Sequence, residues 1–224
     1  MIDETLIPQL IWFFILSLYT AAVTLGTKYS YEWMISKNIP QKVAVYYNRK
    51  IIHMLAGGVV ALITPFIFTT PWLPLLAGLF LTAFTYIPHK TGKIFYWYQT
   101  KDNLNDVNFC FMWALIVFIL WTITNNPWIA IIPPTFMAFG DGITGIVRNM
   151  TFKRRTKHYI GNVFMLPVCL VIAYFIGSKA EILPWAILAA FVATMIERYE
   201  YGPIDDNVLI TVSSSIILLI GFYL

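Results

Sequence analysis

With 59% of its 224 residues hydrophobic, 12% charged and a mean hydropathy of +0.72, the chain has too little polar surface to clothe a water-soluble globule, in which charged residues run at ~25%. A lipid solvent removes that need. The net charge of +4, from 15 Lys and Arg against 11 Asp and Glu, would suggest nucleic acid as a partner of a soluble protein; in a membrane chain no nucleic-acid partner is expected, and the placement of the charge matters more than its sum.

Eight apolar stretches follow one another along the chain, separated by polar or Pro-marked breaks: Ile7 to Leu25, Ile51 to Phe68, Trp72 to Ile87, Val107 to Thr124, Trp128 to Val147, Ile160 to Gly177, Leu183 to Ile196 and Asn207 to Leu224. Most approach the ~17 to 25 residues that cross a hydrocarbon core. The third and seventh are short, and Pro71, Pro88, Pro184 and Pro203 mark their limits. Backbone amides in lipid need internal partners, and long apolar runs without alternation leave the helix as the choice. The expected fold is all-α, a polytopic transmembrane helical bundle of about eight spans forming one integral membrane domain over residues 1–224.

Sorting the cations by connection supports that count. The odd connections hold 14 of the 15 Lys and Arg residues, and Lys179 alone falls in an even one. One missed or invented span would scramble this split. The positive-inside rule then makes the odd connections cytoplasmic and both termini extracytoplasmic. With Asp3 and Glu4 ahead of it and no basic residue, the first span lacks the start of a cleavable signal peptide. Cys110 and Cys169 lie inside apolar spans and read as packing residues, and the Trp residues mostly flank spans as interfacial belts.

Four polar constellations at the cytoplasmic ends exceed what anchoring needs. In Arg49-Lys50-Ile51-Ile52-His53 the three polar residues can share a helix face, with His53 one turn deeper, an arrangement suited to a phosphate above a proton acceptor. Arg49 and Lys50 serve equally as ordinary positive-inside anchors. In Phe139-Gly140-Asp141-Gly142-Ile143-Thr144-Gly145 a carboxylate lies within a span, where it costs ~2.5 to 3.5 kcal/mol and calls for a partner, water or a function. Gly140 and Gly142 beside it allow close approach of a phosphate or metal. The basic run Arg148, Lys153, Arg154, Arg155, Lys157, His158, closing on Gly161-Asn162, fits anionic lipid or a triphosphate. Finally Glu197 and Ile204-Asp205-Asp206-Asn207 offer hard oxygen ligands of the kind Mg²⁺ accepts. One Asp suffices to cap the last helix, which leaves the second to be explained.

Taken in order, these elements resemble the CTP-dependent polyprenol and lipid kinases, the family of dolichol kinase, phytol kinase and CTP-dependent diacylglycerol kinase. The resemblance runs from Arg49 to Asn207. It implies Mg²⁺ as cofactor, CTP and a membrane lipid alcohol as substrates, a polyprenol such as dolichol foremost, and an active site on the cytoplasmic face. It further implies catalytic roles for His53, Asp141 and Asp206 and nucleotide contacts from Arg49, Lys50, Gly140, Gly142, Arg154, Arg155, Lys157, Gly161 and Asn162. Metal ligands would be Asp141, Glu197, Asp205, Asp206 and Asn207.

Two departures from the family pattern bear on this. Lys157-His158 and Gly161-Asn162 stand where the family often has Lys-Ser or Lys-Thr followed by Gly-Ser, and Lys153-Arg154-Arg155 also resembles the cytidylyltransferases that make CDP-diacylglycerol or CDP-archaeol. The late Gly-Gly-x-x-Asp-Arg-x-Asp signature of the CDP-diacylglycerol enzymes is missing from the sequence. A small transporter, using Asp141 and Glu197 as intramembrane coupling groups, is the reading from another class; it expects polar residues near mid-span and matching halves.

Overall fold

The structure, a computed structural model, describes residues 5–154 and 156–224. Arg155, one of the expected nucleotide contacts, and the acidic Asp3 and Glu4 lie outside the described residues. Among the described residues eight apolar helices follow in order: α1 (Leu6–Ser36), α2 (Gln41–Ile67), α3 (Trp72–Thr91), α4 (Asn105–Thr124), α5 (Pro127–Phe152), α6 (Ile160–Lys179), α7 (Leu183–Ile196) and α8 (Asp206–Tyr223). The described residues hold no strand, only an isolated antiparallel bridge between Tyr201 and Ile204. The chain is thus an all-α bundle, and seven of the eight helices are long and apolar enough to cross a membrane.

The eighth, α7, has 14 residues. At ~1.5 Å per residue it reaches ~21 Å, short of a ~30 Å hydrocarbon core. It nevertheless runs antiparallel to most of α6. Ala186 packs where a side chain at Gly177 would stand, while the Thr194 carbonyl accepts from Asn162 Nδ2 at 2.6 Å at the other end. Because α7 stops short, Glu197, which follows it, is drawn inside the bundle and is fully buried.

Other helices outrun their apolar stretches. α1 continues past Leu25 to Ser36, and α2 begins at Gln41, since hydrocarbon depth limits apolar residues and not helical hydrogen bonding. Pro88, expected to bound the third span, lies inside α3. The Thr85 carbonyl in the preceding turn accepts from Gln99 Nε2 at 2.9 Å.

Two π-helical turns interrupt the passes, His53–Gly58 within α2 and Phe136–Gly140 within α5. They pack on one another. A side chain at Gly58 would collide with the Phe139 ring, and one at Gly57 with Phe109. Small residues let the backbones approach, and each π turn re-aims the residue that follows or opens it. α5 is the most buried pass, enclosed by α2, α4, α6 and α8, whereas α1 sits at the periphery.

Polar contacts gather the odd connections at one end. Arg49 Nη1 donates to Asn103 Oδ1 at 3.0 Å, Asn149 Nδ2 to the Val43 carbonyl at 3.2 Å, Asn108 Nδ2 to the Pro203 carbonyl at 3.1 Å and Asn207 Nδ2 to the Asn105 carbonyl at 3.1 Å. At the opposite end Thr69 N donates to Gln9 Oε1 at 3.0 Å, and Lys179 lies over the Trp128 ring. The sequence split of cations therefore follows the long axis of the bundle. In a chain with Cys110 and Cys169 replaced by Ala, single cysteines at Lys93, Arg154 and Tyr201 should all react with an impermeant maleimide from one face, the cytoplasmic one by the positive-inside rule. Cysteines at Thr70 and Asn125 should react from the other. Labelling of Lys93 and Arg154 from opposite faces would contradict this arrangement.

Candidate functional site

At the charged end, three helices and two connections deliver ionised side chains into one buried cluster. Asp141 follows directly on the π turn of α5, and its carboxylate accepts from Lys50 Nζ of α2 at 2.5 Å and from Thr144 Oγ1 at 3.2 Å. Gly145 makes this pairing possible, because a side chain there would meet the Lys50 methylenes. Two helical turns along α5, Arg148 forks onto Glu197, with Nη1 to Oε1 at 2.6 Å and Nη2 to Oε2 at 2.7 Å. Its Nε donates to the His158 carbonyl at 2.8 Å, and Nη2 also to Asn162 Oδ1 at 3.1 Å. Gly161 leaves the space that the guanidinium fills. Both residues of this pair are at most 1% exposed.

Local backbone geometry brings the remaining members in. Lys153 ends α5 in the left-handed region at φ 50°, so the chain folds back and Lys157 reaches over the cluster. Its Nζ contacts Asp206 Oδ2 at 2.5 Å, Glu200 Oε1 at 3.1 Å, Glu197 Oε1 at 3.3 Å and the Glu197 carbonyl at 3.0 Å. Burial works against the ammonium, but Asp206, Glu197 and Asp141 outweigh it and hold the Lys157 amine above its ordinary pKa. Between α7 and α8, Gly202 at φ 60° and the Tyr201–Ile204 bridge close a tight turn. Glu197 and Asp206 are thereby returned to the same place.

Asp141, Glu197 and Asp206 each present a carboxylate oxygen within 4.8 Å of the other two, and all three are buried. The adjacent Asp205 has a different task. With extended backbone it caps α8, its Oδ1 accepting from Val208 N at 3.2 Å while Oδ2 accepts from Asn207 Nδ2 at 3.0 Å. Burial, and then the neighbouring Asp206 charge, push its pKa up to about 6. Asn207 stands beside the cluster, its Oδ1 without a partner among the described residues.

The structure therefore brings together Lys50, Asp141, Lys157, Asn162, Glu197 and Asp206 of the expected site. Arg154 is exposed and makes no part of the cluster. Gly140 and Gly142 face Cys169 with Met165 and Met54 respectively, so their open sides are filled by neighbouring side chains rather than left for a ligand.

Arg49 and His53 turn away from Lys50 and line a second feature, an apolar cavity of about 580 Å³ between α1, α2, α3 and α4. The His53 ring stacks on Phe109 with centroids 3.8 Å apart, and neither ring nitrogen has a hydrogen-bond partner among the described residues. Nearby, Asp106 accepts from Gln99 Nε2 at 2.5 Å and pairs with His89 Nε2 at 3.1 Å.

Sequence reasoning placed Arg148 in the basic run rather than beside Asp141 and Glu197, and passed over His89, Asp106 and Gln99. The signal for Arg148 was present, since seven residues separate it from Asp141 and place both on one helix face. Nothing in the spacing joins His89 to Asp106. Compared with protein-family models, curated proteins and solved structures, the chain matches none.

Removing one partner of a buried ion pair leaves an uncompensated charge, a loss of ~3 to 5 kcal/mol. Glu197→Gln should accordingly lower the detergent melting temperature sharply by stranding Arg148. The double variant Arg148→Met with Glu197→Met should recover much of the loss; if the single and double variants melt alike, the pairing contributes nothing.

Proposed function

We propose that the chain is a Mg²⁺-dependent kinase that transfers the γ-phosphoryl group of CTP to a membrane lipid alcohol on the cytoplasmic face. The observation that carries this reading is the convergence of Asp141, Glu197 and Asp206 with Lys50, Arg148 and Lys157, next to an apolar cavity with His53 at its head. CTP as the donor rests on the family resemblance of the sequence.

Phosphoryl transfer asks a protein chiefly for positioning and for charge placed where charge develops. Three buried carboxylate oxygens from separate passes suit Mg²⁺, which takes oxygen ligands and shares them with phosphate. Held by Asp141, Glu197 and Asp206, the metal would supply positive charge that offsets the charge of the phosphate oxygens. Lys50, Arg148 and Lys157 each already touch one of these carboxylates, so phosphate oxygens entering between them meet cations on several sides. Arg49, adjacent to Lys50 in the chain, lines the cavity.

The lipid hydroxyl approaches from the cavity. Its oxygen bonds to the γ-phosphorus as the bond to the β,γ-bridging oxygen breaks, and its proton passes to a free ring nitrogen of His53. Lipid monophosphate and CDP leave. A cytidylyltransferase, whose nucleophile is an already ionised phosphate, has no proton to dispose of and gives His53 no such task.

With CTP labelled on the γ-phosphorus, Mg²⁺ and a panel of lipid alcohols, the purified protein should label the lipid and release CDP. Asp141→Asn and Asp206→Asn, each assayed below its own lowered melting temperature, should reduce turnover by ~100-fold or more. His53→Ala should lower the catalytic rate with little change in CTP binding. A lipid product labelled from the α-phosphorus and never from the γ, with pyrophosphate released, would overturn the kinase reading in favour of a cytidylyltransferase.

A further inference from the structure

Two of the three converging carboxylates share one cation, Lys157. Its Nζ lies 2.5 Å from Asp206 Oδ2 and 3.3 Å from Glu197 Oε1, and it donates to the Glu197 carbonyl at 3.0 Å. Asp206 and Glu197, with Asp141, are the residues whose carboxylate oxygens stand within 4.8 Å of one another. An ammonium and a divalent ion on the same two buried carboxylates would be a few ångströms apart, where salt and water screen their repulsion poorly. They exclude one another.

The balance of charge leads to the same conclusion. Lys50, Arg148 and Lys157 offset Asp141, Glu197 and Asp206 one for one. A divalent ion entering alone adds two positive charges to a set already balanced, and unbalanced charge in a buried place is costly. Either a cation withdraws or an anion arrives with the ion.

The three cations differ in their freedom to withdraw. Arg148 is forked on Glu197, donates also to the His158 carbonyl and Asn162, and has a side chain 1% exposed. The Lys50 side chain is 4% exposed, and its stem fills the space at Gly145. Lys157 has 26% of its side chain exposed and a further partner at the rim, Glu200 Oε1 at 3.1 Å, on a side chain 31% exposed. Its ammonium thus stands between an inner pair of acids and an outer one. Rotations within its own flexible stem suffice to exchange the first for the second.

We propose that Lys157 is a built-in competitor at the divalent-ion site: its ammonium balances Asp206 and Glu197, and it withdraws to Glu200 when the ion binds. This rests on the metal site of the kinase reading and adds the regulation of that site. Its consequence is coupling. Metal without polyphosphate meets a competitor held in place, whereas phosphate oxygens give the ammonium a further acceptor. Metal and polyphosphate therefore strengthen each other's binding by the same factor.

Competition is measured with Mn²⁺ alone by electron paramagnetic resonance, in the absence of nucleotide and lipid. In a parent chain with Cys110 and Cys169 replaced by Ala, Lys157→Cys should bind Mn²⁺ at least ~10-fold more tightly than the parent. Aminoethyl methanethiosulfonate, which restores an ammonium to that side chain, should return the affinity to the parent's; methyl methanethiosulfonate should not. Glu200→Gln should weaken Mn²⁺ binding ~3-fold in the parent and leave it unchanged beside Lys157→Cys. If the Lys157→Cys chain is too unstable to titrate, Lys157→Gln replaces it, and Mn²⁺ should raise its melting temperature more than the parent's. Equal Mn²⁺ affinity with and without the ammonium, in chains whose binding Asp206→Asn abolishes, would overturn the competition and keep the metal site. Equal weakening by Glu200→Gln in both backgrounds would overturn the withdrawal to Glu200. No Mn²⁺ binding by any of these chains, with CTP or without it, would remove the metal site and this inference together. If the competition holds and no γ-label reaches a lipid, the role of Lys157 stands and the kinase reading falls.

Discussion

Buried charge at one end of the bundle is the constraint on which the other features depend. Lys50, Arg148 and Lys157 face Asp141, Glu197 and Asp206, and outside water each of these ions is tolerable only because its partners are held in place. The helix ends answer that need. α7 is short, which sinks Glu197 to the level of Asn162. The turn through Gly202 returns Asp206 to the same depth, and the left-handed Lys153 folds the connection back so that Lys157 closes the cluster. Gly145 and Gly161 are empty at Cβ because the aliphatic stem of Lys50 and the guanidinium of Arg148 occupy those volumes.

The same packing separates two environments. Lys50 looks toward Asp141 while Arg49 and His53, on the same pass, look into the apolar cavity. The π turn that begins at His53 sets this division, and its counterpart in α5 ends just before Asp141. Two irregular turns packed on each other thus lie between a charged cluster and a lipid-sized space. In the kinase reading that boundary is where a water-soluble nucleotide meets a membrane-soluble alcohol.

Much of this was legible in the sequence because membrane physics leaves few options. Apolar stretches were enough to anticipate an all-α polytopic bundle of eight helices, seven of them long and apolar enough to cross a membrane, and the cost of a carboxylate in lipid singled out Asp141. The adjacency of Asp205 and Asp206 posed the right question, but only backbone angles reveal that Asp205 is the cap and Asp206 the member of the cluster. Arg148 was grouped with the basic run that follows α5 although its helical phase matches Asp141. The His89 and Asp106 pair, the π turns and the cavity have no local signature, since each arises from residues on different passes meeting in space. Gly140 and Gly142 looked like room for a ligand and serve as room for Cys169, Met165 and Met54.

The central claim is that Asp141, Glu197 and Asp206 form a divalent-metal site used with a nucleotide. Titration of Mn²⁺ into the purified protein with CTP, followed by electron paramagnetic resonance, tests it without reference to any lipid. The account predicts one site per chain that Mg²⁺ displaces and that Asp141→Asn and Asp206→Asn each weaken severely, while Asp205→Asn weakens it far less. Undiminished Mn²⁺ binding in the Asp141 and Asp206 variants, or no binding by the unaltered chain, would contradict it.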